Sequence, residues 1–195
     1  MSPSKRVEDG GARELGLELW LLRGDGHLRE EARSELSRLL GERLGVAPDA
    51  LEFVREPCPL CGALHGRPAV KGADVHFSVA RRPGVALIGI AAEPVGVDVE
   101  VVAADGTVED VEVLLHRAER DELAESAPSD QPLLFARIWT RKEAYLKGIG
   151  SGVADDLARD YLGLAGRADG PRGWAVIEVP APDGFAAAAA IRLSG

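Results

Sequence analysis

A chain of 195 residues has room for one large domain or two small lobes, and 46% hydrophobic with 28% charged residues suits a globular protein. The 23 basic and 32 acidic residues leave a net charge of −9, which excludes broad nucleic-acid backbone binding but permits a local basic pocket. The first residues lack the apolar core of a secretory signal, no apolar run approaches a membrane span, and two cysteines make no disulfide framework, so we expect a cytoplasmic protein that binds neither nucleic acid nor membrane.

Leu15, Leu17, Leu19 and Leu21 alternate with other residues and predict a strand, broken by Gly24-Asp-Gly26. Residues 27–44 carry Leu36, Leu39, Leu40 and Leu44 at helical spacing, with Gly45 as the stop. Residues 51–54 are a short strand candidate. Cys58-Pro-Leu-Cys61-Gly-Ala-Leu-His65-Gly-Arg-Pro68 contains zinc-ligand residue types, yet no fourth ligand stands at a suitable spacing. We expect a rigid turn with two reduced thiols there. The four histidines, His27, His65, His76 and His116, show no pairing at metal spacing and are expected as surface or turn residues.

Residues 75–80 and 85–91 predict paired strands joined by Arg81-Arg-Pro-Gly84. Residues 95–102 continue with strict alternation: Val95, Val97, Val99 and Val101 on one face, Gly96, Asp98 and Glu100 on the other. Residues 111–123 and 133–147 predict helices, and 174–179 with 185–193 a final strand pair. A helix with internal basic residues and a glycine stop occurs in each half, which suits two similar α/β lobes, 1–92 and 93–195, better than one continuous sheet.

The second of those helices carries Trp139-Thr-Arg-Lys-Glu-Ala-Tyr-Leu-Lys147, so Glu143 and Lys147 project from one face. Such a pair is also an ordinary stabilising feature. Together with Asp98 and Glu100, however, Glu143 makes a set of hard oxygen ligands suited to Mg²⁺, and flanking lysines would neutralise phosphate oxygens. A solvated sheet face explains Asp98 and Glu100 equally well. No nucleophile elbow or phosphate-binding Walker loop is present, and Gly148-x-Gly150-x-Gly152 follows a helix instead of a strand.

Gly96-Val-Asp-Val-Glu100 followed by Trp139-Thr-Arg-Lys-Glu-Ala-Tyr-Leu-Lys147 resembles the paired signature of 4′-phosphopantetheinyl transferases of the Sfp type. Gly66-Arg-Pro68, His76-Phe-Ser-Val-Ala-Arg81 and Gly184-Phe-Ala-Ala are similar to further family stretches, and residues 58–68 resemble the actinobacterial branch. The resemblance implies an α+β fold of two pseudo-symmetric α/β lobes with the ligand cleft between them. It also implies a holo-[acyl-carrier-protein] synthase type of activity. The phosphopantetheine arm would pass from coenzyme A to a serine of an apo acyl or peptidyl carrier protein, Mg²⁺-dependently, leaving 3′,5′-ADP.

By the same resemblance Asp98, Glu100 and Glu143 would hold Mg²⁺, Glu143 would help deprotonate the serine, and Lys147 would stabilise charge on the pyrophosphate. Arg67, Pro68, Ser78, Arg81, Asp98, Lys142 and Lys147 would contact coenzyme A. Two departures stand out. Arg81 occupies the place of a family histidine, and the N-terminal lobe is short, with Arg23 and Arg29 the nearest basic candidates there. Arg117, Arg120, Arg137 and Arg141 would supply a local basic face for acidic carriers, or are simply solvated. Two lobes in one chain imply a monomer. The alternatives are a non-catalytic relative that binds coenzyme A or a carrier protein, and a different Mg²⁺ phosphoester enzyme.

Overall fold

A computed structural model describes residues 4–102, 114–151, 157–163 and 171–194. Its strands are β1 (Lys5–Arg6), β2 (Glu18–Arg23), β3 (Phe53–Arg55), β4 (Pro68–Val70), β5 (His76–Arg82), β6 (Val85–Ala91), β7 (Val95–Val101), β8 (Trp174–Glu178) and β9 (Phe185–Arg192). The helices among the described residues are α1 (Gly10–Glu14), α2 (Arg29–Leu44), α3 (Arg117–Glu125) and α4 (Gln131–Ile149), with a short 3₁₀ turn at Pro48–Ala50. The predicted elements recur within a few residues, except that the helix expected at 111–123 begins at Arg117 and its first part lies outside the described residues. None of the described helices is long and apolar enough to cross a membrane.

Two antiparallel sheets result, one of six strands in the order β1-β2-β6-β5-β4-β3 and one of three in the order β7-β9-β8. They pack face to face through Leu17, Leu19, Ala80, Val85 and Leu87 on one side and Val95, Val97, Val99, Ala187, Ala189 and Ile191 on the other. On its other face the larger sheet packs Phe77, Ile88 and Ile90 against Leu36, Leu39 and Leu40 of α2. α4 covers the outer face of the smaller sheet, where Ala188, Ala190 and Val176 meet Ala144, Tyr145 and Leu146. The architecture is therefore mixed α/β, with helix, sheet, sheet and helix in succession. β6, inside the larger sheet, is buried along its whole length, as its unbroken apolar sequence requires.

The alternation in β7 positions the functional side chains. Val97 and Val99 are fully buried between the sheets, each contributing about 1.5–3 kcal/mol relative to exposure. Their burial turns Gly96, Asp98 and Glu100 toward the α4 side, opposite Ala190, Ala188 and Ala186 of β9. The alanines leave a low floor, and Gly96 lets the helix backbone settle onto it. A Cβ at position 96 would lie 1.9 Å from the Ala144 carbonyl oxygen and 2.4 Å from the Gly148 nitrogen. Gly150, at φ 83°, then closes α4 with its N–H on the Leu146 carbonyl, the left-handed cap the glycine run predicts.

Candidate active site

Asp98 leaves the middle of β7 with only 2% of its surface exposed. Its Oδ1 accepts a hydrogen bond from Lys147 Nζ at 2.6 Å, and the same ammonium lies 3.4 Å from the Val97 carbonyl oxygen. Its Oδ2 is buried without a hydrogen-bond partner among the described residues. Burial, partly countered by Lys147, pushes the Asp98 carboxyl up to about 6, and the negative charges of Glu100 and Glu143 add to the rise. Glu143 sits one helical turn before Lys147, half-buried. Burial raises its pKa too, with Glu100 pushing the same way and Lys147 and Arg82 opposing.

Glu100 is held by Arg82 at the end of β5, whose Nε donates to Oε2 at 2.6 Å while a second guanidinium nitrogen pairs with Oε1. Arg82 is also close enough to feel Asp98 and Glu143. The cluster thus holds three carboxylates against two cations, and two of the carboxyls resist ionisation. The sequence reading passed over Arg82 in favour of Arg81. The signal that could have found it is the hairpin itself, since Arg82 closes the β5–β6 ladder opposite Val85.

A hard divalent cation fits this donor set. The buried second oxygen of Asp98 has no partner among the described residues, and the mutual repulsion of the acids is what a bound cation would relieve. Among the described residues the three carboxylates do not close to ligand atoms within 4.8 Å of one another, since Lys147 engages Asp98 and Arg82 engages Glu100. The group that does close is Cys58, Cys61 and His65. The thiols are reduced, as expected, but the convergence of His65 on them is not what the histidine spacing suggested.

Beside the carboxylates runs a groove of about 380 Å³, lined by Arg55, His65, Gly66, Arg67, Pro68, Ser78, Arg81, Lys147 and Gly150 among others. Arg67, Pro68, Ser78, Arg81 and Lys147 are therefore brought together on one groove. Arg67 is clamped. Its Nε donates to Glu56 at 2.8 Å and another guanidinium nitrogen donates to the Gly148 carbonyl at 2.8 Å, tying the 58–68 loop to the end of α4. Ser78, 6% exposed, accepts from the Val97 N–H at 3.1 Å and thereby fastens β5 to β7. Arg81 is exposed on the groove wall. Arg55, whose guanidinium donates to the Gly66 carbonyl at 3.0 Å, is a further basic lining residue that the motif reading missed. A larger cleft, about 680 Å³ and lined by Lys5, Arg6, Glu8, Arg23 and Pro180 among others, includes none of the signature residues.

Lys142 does not join the group. It is 2% exposed, pairs with the fully buried Glu119 at 2.9 Å and donates to the Leu157 and Asp160 carbonyls at 2.7 Å each. The expected contact with coenzyme A is replaced by an internal pair because that face of α4 turns toward α3 and residues 157–163. Arg141 is likewise committed, 8% exposed with Nε on the Leu162 carbonyl at 2.7 Å. Arg137 pairs with Glu178 at 3.5 Å and Arg117 with Asp121 at 3.9 Å.

Residues 94–169, which include β7 and α4, match the model of the 4′-phosphopantetheinyl transferase superfamily. The chain is 29% identical over 169 residues to the 4′-phosphopantetheinyl transferase HetI of Nostoc sp., covering 82% of this chain and 68% of that protein. It is 32% identical over 89 residues to the 4′-phosphopantetheinyl transferase gsp of Aneurinibacillus migulanus, covering 46% of this chain and 37% of the relative. A 4′-phosphopantetheinyl transferase of Bacillus subtilis shares 24% identity over 149 residues, 75% of this chain and 63% of that protein. The matches thus span between about a third and two thirds of the relatives' length. The matched region holds all three carboxylates and Lys147, the residues that the fold gathers under α4, and it is this part of the chain that is similar to the 4′-phosphopantetheinyl transferase superfamily.

Proposed function

We propose that this chain is an Sfp-type transferase that moves the 4′-phosphopantetheine arm of coenzyme A to a serine of an apo acyl or peptidyl carrier protein, releasing 3′,5′-ADP. The observation that carries the reading is the double engagement of Lys147, which lines the basic groove and donates to Asp98 at 2.6 Å. A phosphate-binding surface and an acidic cluster therefore share one ammonium. We read the chain as two pseudo-symmetric lobes, 1–92 and 93–195, acting as a cytoplasmic monomer with coenzyme A in the cleft between them and no role for nucleic acid.

In this reading the groove arginines take the phosphates of coenzyme A, with Arg81 on the 3′-phosphate because a guanidinium binds phosphate bidentately at any pH. Asp98, Glu100 and Glu143 would hold Mg²⁺, which supplies charge neutralisation at the pyrophosphate. The carrier serine oxygen attacks the β-phosphorus, the bond to the bridging oxygen breaks, and 3′,5′-ADP departs with the electron pair. Glu143 accepts the serine proton, a task helped by the burial that raises its basicity. Lys147 stabilises the negative charge that spreads over the phosphoryl oxygens. Lys142 has no part in these steps, since its ammonium is sealed against Glu119.

Intact-mass spectrometry of an apo carrier protein incubated with this chain, coenzyme A and Mg²⁺ tests the reading. We expect a gain of one phosphopantetheine, lost with EDTA, and a loss of at least about 100-fold in rate for Glu143→Gln. No gain across fatty-acid, polyketide and peptide carriers, with coenzyme A still bound, would make the chain a non-catalytic relative.

A further inference from the structure

Residues 58–68 hold the one group of metal-ligand side chains among the described residues whose donor atoms all lie within 4.8 Å of one another. Cys61 Sγ stands 3.0 Å from His65 Nε2. Cys58 is buried, whereas Cys61 and His65 face solvent. The backbone builds this convergence. The Gly62 N–H donates to the Cys58 carbonyl at 2.8 Å and the Cys58 N–H to the Ala63 carbonyl at 2.8 Å, a tight knuckle that needs the φ of 75° at Gly62. The arms of the loop are clamped by Glu56 N–H on the Arg67 carbonyl and Gly66 N–H on the Glu56 carbonyl, both at 2.9 Å. Backbone N–H groups of Leu60 and Cys61 bond the Cys58 sulfur.

We propose that Cys58, Cys61 and His65 bind one Zn²⁺, separately from the carboxylate cluster, and that the ion staples the loop presenting Arg67 to the basic groove. Two sulfurs and one imidazole nitrogen are zinc donors, in contrast to the hard oxygens of Asp98, Glu100 and Glu143. Zinc bonds of about 2.0–2.3 Å place tetrahedral donors about 3.4–3.8 Å apart, so small side-chain rotations suffice to close the site. Among the described residues no fourth His, Cys, Asp or Glu joins the three, so the remaining position takes a solvent molecule. Binding releases the Cys58 and Cys61 thiol protons to solvent and involves no change in oxidation state. The stapling has a direct route to the groove, because His65, Gly66, Arg67 and Pro68 follow the knuckle without interruption and line the groove wall.

The proposal stands without the transferase reading and is tested by metal binding alone. Reduced, chelator-stripped, tag-free protein is titrated with Co²⁺ and then Zn²⁺, after a thiol assay has confirmed two free cysteines per chain. One equivalent of Co²⁺ should produce a sulfur-to-cobalt charge-transfer band and intense tetrahedral visible bands, both abolished by Zn²⁺ and unaffected by excess Mg²⁺. Cys61→Ser and His65→Ala alter exposed side chains and should fold. Each should weaken binding at least about tenfold, with the charge-transfer band reduced in Cys61→Ser. Asp98→Ala should keep the full band at one equivalent. Absence of the band in the wild type, or a band of equal strength and affinity in Cys61→Ser, overturns the proposal, as does its loss in Asp98→Ala with Cys58 and Cys61 intact.

Discussion

Lys142 and Lys147 lie five residues apart on α4, and both belong to the signature that first suggested phosphate chemistry, yet they live in different parts of the molecule. Lys142 is sealed with Glu119, its three donors spent on one carboxylate and two carbonyls. Lys147 keeps its side chain 33% exposed and leans over Asp98 at the groove edge. Five residues turn the helix by about 140°, so one face meets α3 and residues 157–163 while the other meets β7. The same residue type is an internal strut on one face and an anion-facing charge on the other, and charge in a motif does not by itself distinguish the two.

The largest expected effect breaks the buried member. Glu119 serves the Lys142 ammonium, accepts from the Leu162 N–H at 2.7 Å and accepts from the His116 N–H at 2.9 Å in a capping box. Lys142→Ala would strand this carboxylate in a site with no solvent, at a cost of about 3–5 kcal/mol in urea denaturation. Glu119→Gln combined with Lys142→Met should recover part of that loss, because no net charge remains buried, while the amide oxygen keeps one of the two backbone N–H bonds and the NH2 forfeits the other. A loss of coenzyme A affinity in Lys142→Ala with stability unchanged would return Lys142 to the phosphates and erase the contrast.

The next effect tests what holds the exposed face in place. Lys147 reaches Asp98 only because the α4 backbone rests on β7 at Gly96. Gly96→Ala inserts a methyl where the nearest obstacles are backbone atoms, which cannot rotate away, and should cost at least about 1–3 kcal/mol. Whatever protein remains folded should lose the Lys147-side function while retaining the Lys142–Glu119 pair, measurable as activity falling further than stability. A neutral Gly96→Ala would mean that the helix has room to ride higher on the sheet.

Much of this arrangement is legible in the sequence, for identifiable physical reasons. Period-two alternation in residues 95–101 forces Asp98 and Glu100 onto one face, and the glycine run announces the helix stop. The motif spacing also marks Glu143 and Lys147 as partners. What the spacing could not convey is which groups beyond the motif the side chains meet. The partner of Lys142, Glu119, sits 23 residues upstream in another helix, and the guanidinium on Glu100 comes from the preceding hairpin. His116 and Glu119 did carry a readable signal, a polar residue followed three positions later by Glu, which announces a helix start. The Cys58, Cys61 and His65 convergence depends on loop clamps at Glu56 and Gly66 that no ligand-spacing rule contains.

The smallest effect concerns the Lys147–Asp98 pair, and pH separates it from a fixed internal strut. The Asp98 carboxyl stands at about 6 when folded, against about 3.9 for an unfolded aspartate. Between those values the folded protein binds the extra proton, so this group's contribution to stability falls as pH rises through the window. Lys147 limits the fall by holding the folded value down. In Lys147→Met the carboxyl rises further, and the penalty continues to grow above the wild-type pKa by up to about 1.4 kcal/mol per pH unit until the new value is passed. In metal-free buffer the variant should therefore match the wild type within about 1 kcal/mol near pH ~5 and fall progressively below it toward pH ~8. Denaturant titrations at the two pH values check this. A cost independent of pH would mean that Asp98 does not carry a proton in the variant, and Lys147 would then be a structural ion-pair partner of the same kind as Lys142.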